Sequence, residues 1–146
     1  MEKVVDCLNT FLADLNVFYR KLQNYHWNIE GEEFFWVHAK LEEYYNDINK
    51  QIDEIAEHIL IIGGEPLGRL KDYLERTTLK EAENKKIKEE KIFKDIIEDL
   101  ATLKLEILKI KKEAENEDTF GTSALMDEYI LNYSKKIWMI RQIIED

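Results

Sequence analysis

The chain has few places where a helix must stop. Its five glycines and single proline all fall in three short segments, residues 30–33 (EGEE), 63–68 (GGEPLG) and 116–123 (NEDTFGTS). Glycine and proline are the strongest breakers of regular structure, so the stretches between these segments are free to run as long helices. The apolar residues agree. Leu8, Phe11, Leu12, Leu15, Tyr19 and Leu22 recur at helical spacing, and His26 continues that row. A second run carries Leu41, Ile48, Ile52, Ile55 and Ile59, a third Ile87, Ile92, Phe93, Ile96, Leu100, Leu103 and Ile107, and a fourth Tyr129, Ile130, Tyr133, Ile137, Ile140 and Ile144.

The expected organisation is one domain over residues 1–146, all-α. Four long helices are joined by two short connections and one long crossover between helices 2 and 3, and residues 67–76 (LGRLKDYLER) form a short amphipathic helix inside the crossover. That is the plan of a ferritin-like four-helix bundle. The Lys/Glu-mixed segment 83–91 (ENKKIKEEK) reads as the solvated start of the third helix, and Thr122 or Ser123 as a cap for the fourth. Apolar residues make up 45% of the chain, enough for a sizeable core. The longest apolar run, ILII at 59–62, is far too short to span a bilayer. A formal net charge of −10 argues against nucleic acid or an anionic membrane as default partners. Cys7 is the single cysteine, and MEKVVDCLNT has no secretory character, so a cytoplasmic protein is expected.

Two of the three histidines lie close together in NYHWNIEGEEFFWVH, residues 24–38. A di-iron centre inside one bundle typically draws on Glu-x-x-His pairs, because residues three apart share a helix face. Here Gln23, Phe35 and Ile55 stand three residues before His26, His38 and His58, and the third and fourth runs hold no histidine. Their inward stripes read as aliphatic or aromatic, so no internal di-iron site is expected.

The second helix carries a different row, His38, Glu42, Asn49, Asp53 and Glu57, on a flank beside its apolar stripe. His38 and Asp53 are fifteen positions apart, which is about 22 Å of helix, too far to share an ion. His26 and His38 can meet at the turn between the first two helices. If two chains pack their second helices antiparallel about a two-fold axis near Tyr45 and Asn46, the histidine end of one meets the acid end of the other. Two equivalent mixed sites result. Two imidazoles with two carboxylates suit iron(II) or another first-row divalent ion, zinc included. An inert bundle, whose histidines merely pack, would leave the spacing of these four residues an accident.

The segments NYHWNIEG, FFWVHAKLEEYYND, IDEIAEHILIIGGEPLGRLKDYLE and KKIWMIRQ resemble the Dps family, starvation-inducible mini-ferritins, over nearly the whole chain. The resemblance implies a hollow homododecamer with ferroxidase sites at two-fold interfaces. It places His26 and His38 of one chain there with Asp53 and Glu57 of another, Glu42 as a secondary acid near the metal, and Trp27 beside the site. It implies iron(II) oxidation, with hydrogen peroxide or dioxygen as oxidant, and storage of ferric mineral as protection against oxidative damage. His58 stands where the family commonly has arginine, and Trp36 is an unusual choice whose expected role is packing. Iron-entry pores at the threefold axes are implied near the start of the last helix, where this chain offers Glu117, Asp118 and Asp127, with Ala124 in place of one expected acid. DNA-binding members use a lysine-rich terminal tail. Only MEK precedes the first helical run and the sequence ends at RQIIED, so DNA binding is not expected; a DNA-protecting architectural protein is the alternative reading.

Overall fold

Each of the four apolar stripes becomes the buried face of a helix in the computed structural model, which describes residues 1–144. The order is α1 (Glu2–Asn28), β1 (Ile29–Glu30), α2 (Phe34–Ile61), α3 (Leu70–Arg76), β2 (Ile87–Lys88), α4 (Glu89–Asn116) and α5 (Phe120–Arg141). Leu8, Phe11, Leu12, Leu15 and Leu22 of α1 are fully buried against Leu41, Ile48 and Ile55 of α2 and Ile96, Leu100, Leu103 and Ile107 of α4. Removing one such side chain, as in Leu15→Ala, costs about 2–5 kcal/mol in lost transfer energy and cavity formation. α1 and α2 form one hairpin, α4 and α5 a second, and residues 62–88 cross between them with α3 packed on α1. The all-α, ferritin-like bundle with a short helix in the crossover is therefore the observed fold. Among the described residues, no helix is long and apolar enough to cross a membrane.

The first turn of the crossover needs its glycines. Gly63 has φ +90°, and a Cβ on Gly64 would lie 2.7 Å from a methyl of Val5 on α1. The crossover therefore leaves α2 in contact with the start of α1, an approach that a larger residue at Gly64 would block.

The structure corrects three sequence expectations. The segment 83–91 is not a helix start throughout: Ile87 and Lys88 pair in parallel with Ile29 and Glu30 as a two-residue bridge, and α4 begins only at Glu89. The N-cap position of α5 is Thr119, whose side chain makes no capping hydrogen bond, and not Thr122 or Ser123, which are buried inside its first turn. The residue before Thr119, Asp118, takes φ 57° in the turn between α4 and α5, and α5 begins at Phe120, ahead of Thr122. Finally, α4 and α5 are not purely apolar inward, since Asp99, Thr122 and Ser123 are buried along them.

α2 and α5 meet through long polar side chains rather than close backbones. Asp47 accepts from Lys136 Nζ at 2.9 Å, Gln51 Oε1 from the Tyr133 hydroxyl at 2.5 Å, and Glu54 from the Tyr129 hydroxyl at 2.5 Å. His58 Nε2 and the Thr122 hydroxyl, 2.7 Å apart, complete the series. The α2 positions advance by four, three and four residues, so one face of the helix supplies all four links. This is where His58 acts: it bridges to α5. Burial lowers its pKa against the opposing effect of Glu54.

Candidate metal centre

His26 closes α1 and His38 stands in the second turn of α2, and the five residues 29–33 between the helices fold them face to face. The Nδ1 of His26 donates to the backbone carbonyl of His38 at 2.6 Å, and the Nδ1 of His38 donates to the carbonyl of His26 at 2.7 Å. A carbonyl can only accept, so when neutral both rings carry their proton on Nδ1. Each Nε2 then keeps a lone pair, the arrangement a ligating histidine needs. The rings stack with centroids 3.6 Å apart and planes 11° apart. His26 is only 5% exposed.

The surrounding groups continue the pattern. Glu42 Oε1 lies 3.7 Å from His26 Nε2, one turn along α2 from His38. Phe34 stacks on His38 at 4.9 Å, and Tyr45 meets His26 edge-on at 5.3 Å. Burial and the neighbouring Glu42 raise the Tyr45 phenol above its usual range. The sequence placed Tyr45 only near the two-fold axis and did not single out Phe34, although Phe34 stands four residues before His38, on the same helix face.

Asp53 and Glu57 are exposed on α2, beyond Tyr45, and make no ion pair or side-chain hydrogen bond among the described residues. Within one chain the structure brings His26, His38 and Glu42 together and leaves Asp53 and Glu57 apart. Among the described residues, no group of three or more His, Cys, Asp or Glu is close enough to hold a metal ion. Trp27, next to His26, is 57% exposed. Trp36 turns away from the imidazoles and lies parallel to Phe93 of α4 at 5.8 Å, with its indole N–H donated to Glu33. Its role in this chain is to pack α2 on α4.

The acids near α5 have separate surroundings. Glu117 pairs with the Met1 amine at 2.5 Å, Asp127 with Lys111 at 2.8 Å, and Asp118 is exposed in the turn.

With this geometry in view, comparison with known proteins is direct. The family model for the ferritin-like domain matches residues 5–146. DNA protection during starvation protein 2 of Bacillus anthracis is 36% identical over 143 residues, covering 98% of this chain and 97% of the relative. The crystal structure of the DPS protein from Vibrio cholerae O1, described as a member of a broad superfamily of ferritin-like diiron-carboxylate proteins, superposes with TM-score 0.95 at 35% identity over 99% of this chain and 90% of that one. A Dps from Listeria innocua, whose crystal was soaked with zinc, superposes with TM-score 0.91 at 30% identity over 96% of this chain and 94% of its own. End-to-end agreement in sequence and fold places this chain in the ferritin-like family, among its Dps proteins.

Proposed function

We propose that the protein is a ferroxidase and iron store of the cytoplasm, a homododecamer whose catalytic sites are each shared by two chains. One observation carries the reading. The turn joining α1 to α2 holds two imidazoles with free Nε2 lone pairs, His26 at the end of α1 and His38 at the start of α2, while two exposed carboxylates without partners among the described residues lie toward the other end of α2, a donor set divided over a length that one ion cannot bridge. An antiparallel α2–α2 dimer unites His26 and His38 of one chain with Asp53 and Glu57 of the next, twice per dimer. Glu42 adds a carboxylate beside His26. The mixed N/O set fits iron(II), and zinc fits the same donors.

In this reading the two histidines bind through Nε2 while their Nδ1–H groups go on donating to the carbonyls, and the carboxylates offset the charge that grows as iron(II) becomes iron(III). Two iron(II) ions supply the two electrons that reduce one hydrogen peroxide with two protons to two waters. No hydroxyl radical is released, and the ferric product is stored in the cavity. Dioxygen is a second oxidant for the same site. Glu117, Asp118 and Asp127 are the acids we assign to iron entry.

Co-refolding tests the shared site. A variant with both His26→Ala and His38→Ala, and another with Asp53→Ala and Glu57→Ala, should each assemble yet lose fast iron(II) oxidation. Mixed shells contain dimers in which the histidines of one chain face the acids of the other, restoring one site in two. Partial recovery of activity is expected. Confirmed mixed shells with no recovery would sink the two-chain site.

The relative's name speaks of DNA protection, and we read the protection as chemical. Twelve chains at −10 each carry −120 formally, which opposes contact with phosphate. No mobility shift of duplex DNA is expected at physiological salt; a clear shift without divalent metal would favour the architectural alternative.

A further inference from the structure

Five rings run in series through the turn between α1 and α2. Phe34 stacks on His38 with planes 17° apart, His38 on His26 at 11°, Tyr45 meets His26 edge-on at 81°, and Tyr19 meets Tyr45 edge-on at 87°. The Tyr19 hydroxyl is in turn held by the Gln23 side-chain amide at 3.2 Å. Filling space at the start of α2 would not require Phe34 to lie nearly parallel to an imidazole, and filling space beside His26 would not require an edge-on phenol. Both orientations are those that aromatic pairs prefer on electrostatic grounds.

The two imidazoles have one backbone hydrogen bond each, through Nδ1. A single bond leaves the ring able to rock about it and does not by itself prevent the flipped ring, in which Cδ2 replaces Nδ1 at the carbonyl, the tautomer is no longer fixed and Nε2 is displaced from its ligating position. The rings on either side restrict that freedom: Phe34 stacks on His38, and Tyr45 meets His26 edge-on. Ordering is then complete before any metal arrives, and binding does not bear its cost.

We infer that Phe34 and Tyr45 are positioning residues for the metal centre, an aromatic clamp that holds His26 and His38 with Nδ1 on the carbonyls and both Nε2 lone pairs ready to ligate. The inference rests on the proposed site and deepens it. It concerns the protein before metal is bound, so its test is separate from turnover.

The comparison is Phe34→Leu, which keeps apolar bulk but has no ring face, against Phe34→Tyr, which keeps the face. Assembly is checked by light scattering and helix content by circular dichroism. Two quantities are read on the metal-free assembled protein: the zinc dissociation constant by calorimetry, and the tautomers of the three histidines by solid-state nitrogen spectra of histidine-labelled protein. Phe34→Leu should weaken zinc binding by about three- to tenfold, the worth of one lost aromatic contact or one freed side chain. It should also add a second tautomer for His38, while Phe34→Tyr stays within about twofold of the parent. Unchanged zinc affinity and a single tautomer in Phe34→Leu overturn the clamp. Equal loss in Phe34→Tyr also overturns it, since the face would then not matter. If Phe34→Leu does not assemble, Tyr45→Leu against Tyr45→Phe decides the question in the same way. Zinc binding indifferent to the double substitution His26→Ala with His38→Ala would instead overturn the site itself, a different result from indifference to Phe34.

Discussion

Two of the bundle's pairs of titratable side chains drawn from different helices are finished to different degrees. At the α1–α2 turn, His26 and His38 each satisfy one nitrogen on the backbone and leave the other free. Midway along the bundle, Asp14 of α1 and Glu106 of α4 close on themselves. Asp14 accepts from the Thr77 hydroxyl, from the Thr78 amide and hydroxyl at 2.6 Å each, and from the Leu79 amide at 3.3 Å. Burial works against its charge, but hydrogen bonds from Glu106, Thr77 and Thr78 outweigh burial and hold its pKa below the usual range. Burial first, then the hydrogen bond and charge of Asp14, push Glu106 up to about 9. At neutral pH Glu106 therefore carries a proton, which it donates to Asp14. This also accounts for the buried Glu106 Oε1, which meets no donor from elsewhere.

The difference separates structural work from ligand work. The acid pair spends its hydrogen bonds on the protein itself, and what it holds is the end of the crossover, residues 77–79, against α1 and α4. The imidazole pair retains two lone pairs in the same bundle. A polar cluster that is satisfied internally stabilises the fold, whereas one left half-satisfied in a fixed geometry is ready for a ligand.

The largest expected effect is on the structural side. Asp14→Ala removes the acceptor for four hydrogen bonds from Thr77, Thr78 and Leu79, at a cost of about 2–4 kcal/mol. Denaturant midpoints at one fixed protein concentration check it, and a loss below about 1 kcal/mol would show that the crossover is held by apolar contacts alone.

Glu106→Gln is next. The folded pKa of Glu106 is raised from 4.5 to about 9, so its stabilising contribution is complete below about 4.5, the unfolded value, and is lost as pH rises through about 9. The amide of the variant donates to Asp14 at every pH. The variant should match the parent near pH 5 and exceed it by about 1–3 kcal/mol at pH 8. Parallel stability curves across that range would mean that no proton is shared between the two acids.

The smallest effect is predicted for the functional pair. In metal-free protein His38→Ala loses one hydrogen bond and one stacked ring, about 1 kcal/mol, clearly less than Asp14→Ala. A penalty as large as that of Asp14→Ala would erase the contrast and make the imidazoles structural.

Much of the site was legible because it is local or periodic. The twelve positions between His26 and His38 span a single helix–turn–helix, and the row from His38 to Glu57 lies on one helix, so rise and rotation per residue placed them. Local geometry also showed that His38 and Asp53 cannot share an ion. The aromatic clamp was partly legible, through the four-residue step from Phe34 to His38. Its contact with Tyr45 was not, because two helices must meet first.

Read alone, the sequence determined the four helices and their breaks, the all-α bundle with one long crossover, and the family, since helical period, glycine placement and motif spacing are properties of the chain's order. Tertiary structure decided what depends on distant segments meeting. Ile29 and Ile87 pair across 58 positions, too short a bridge for any periodic signal. Thr119 and not Thr122 stands at the N-cap position, and the Thr122 hydroxyl meets His58 of α2 instead. The charge state of Glu106 arose from Asp14, more than ninety positions away. Hydrogen bonding and desolvation act through space, and the local pattern of residues does not encode which groups will share a low-dielectric neighbourhood.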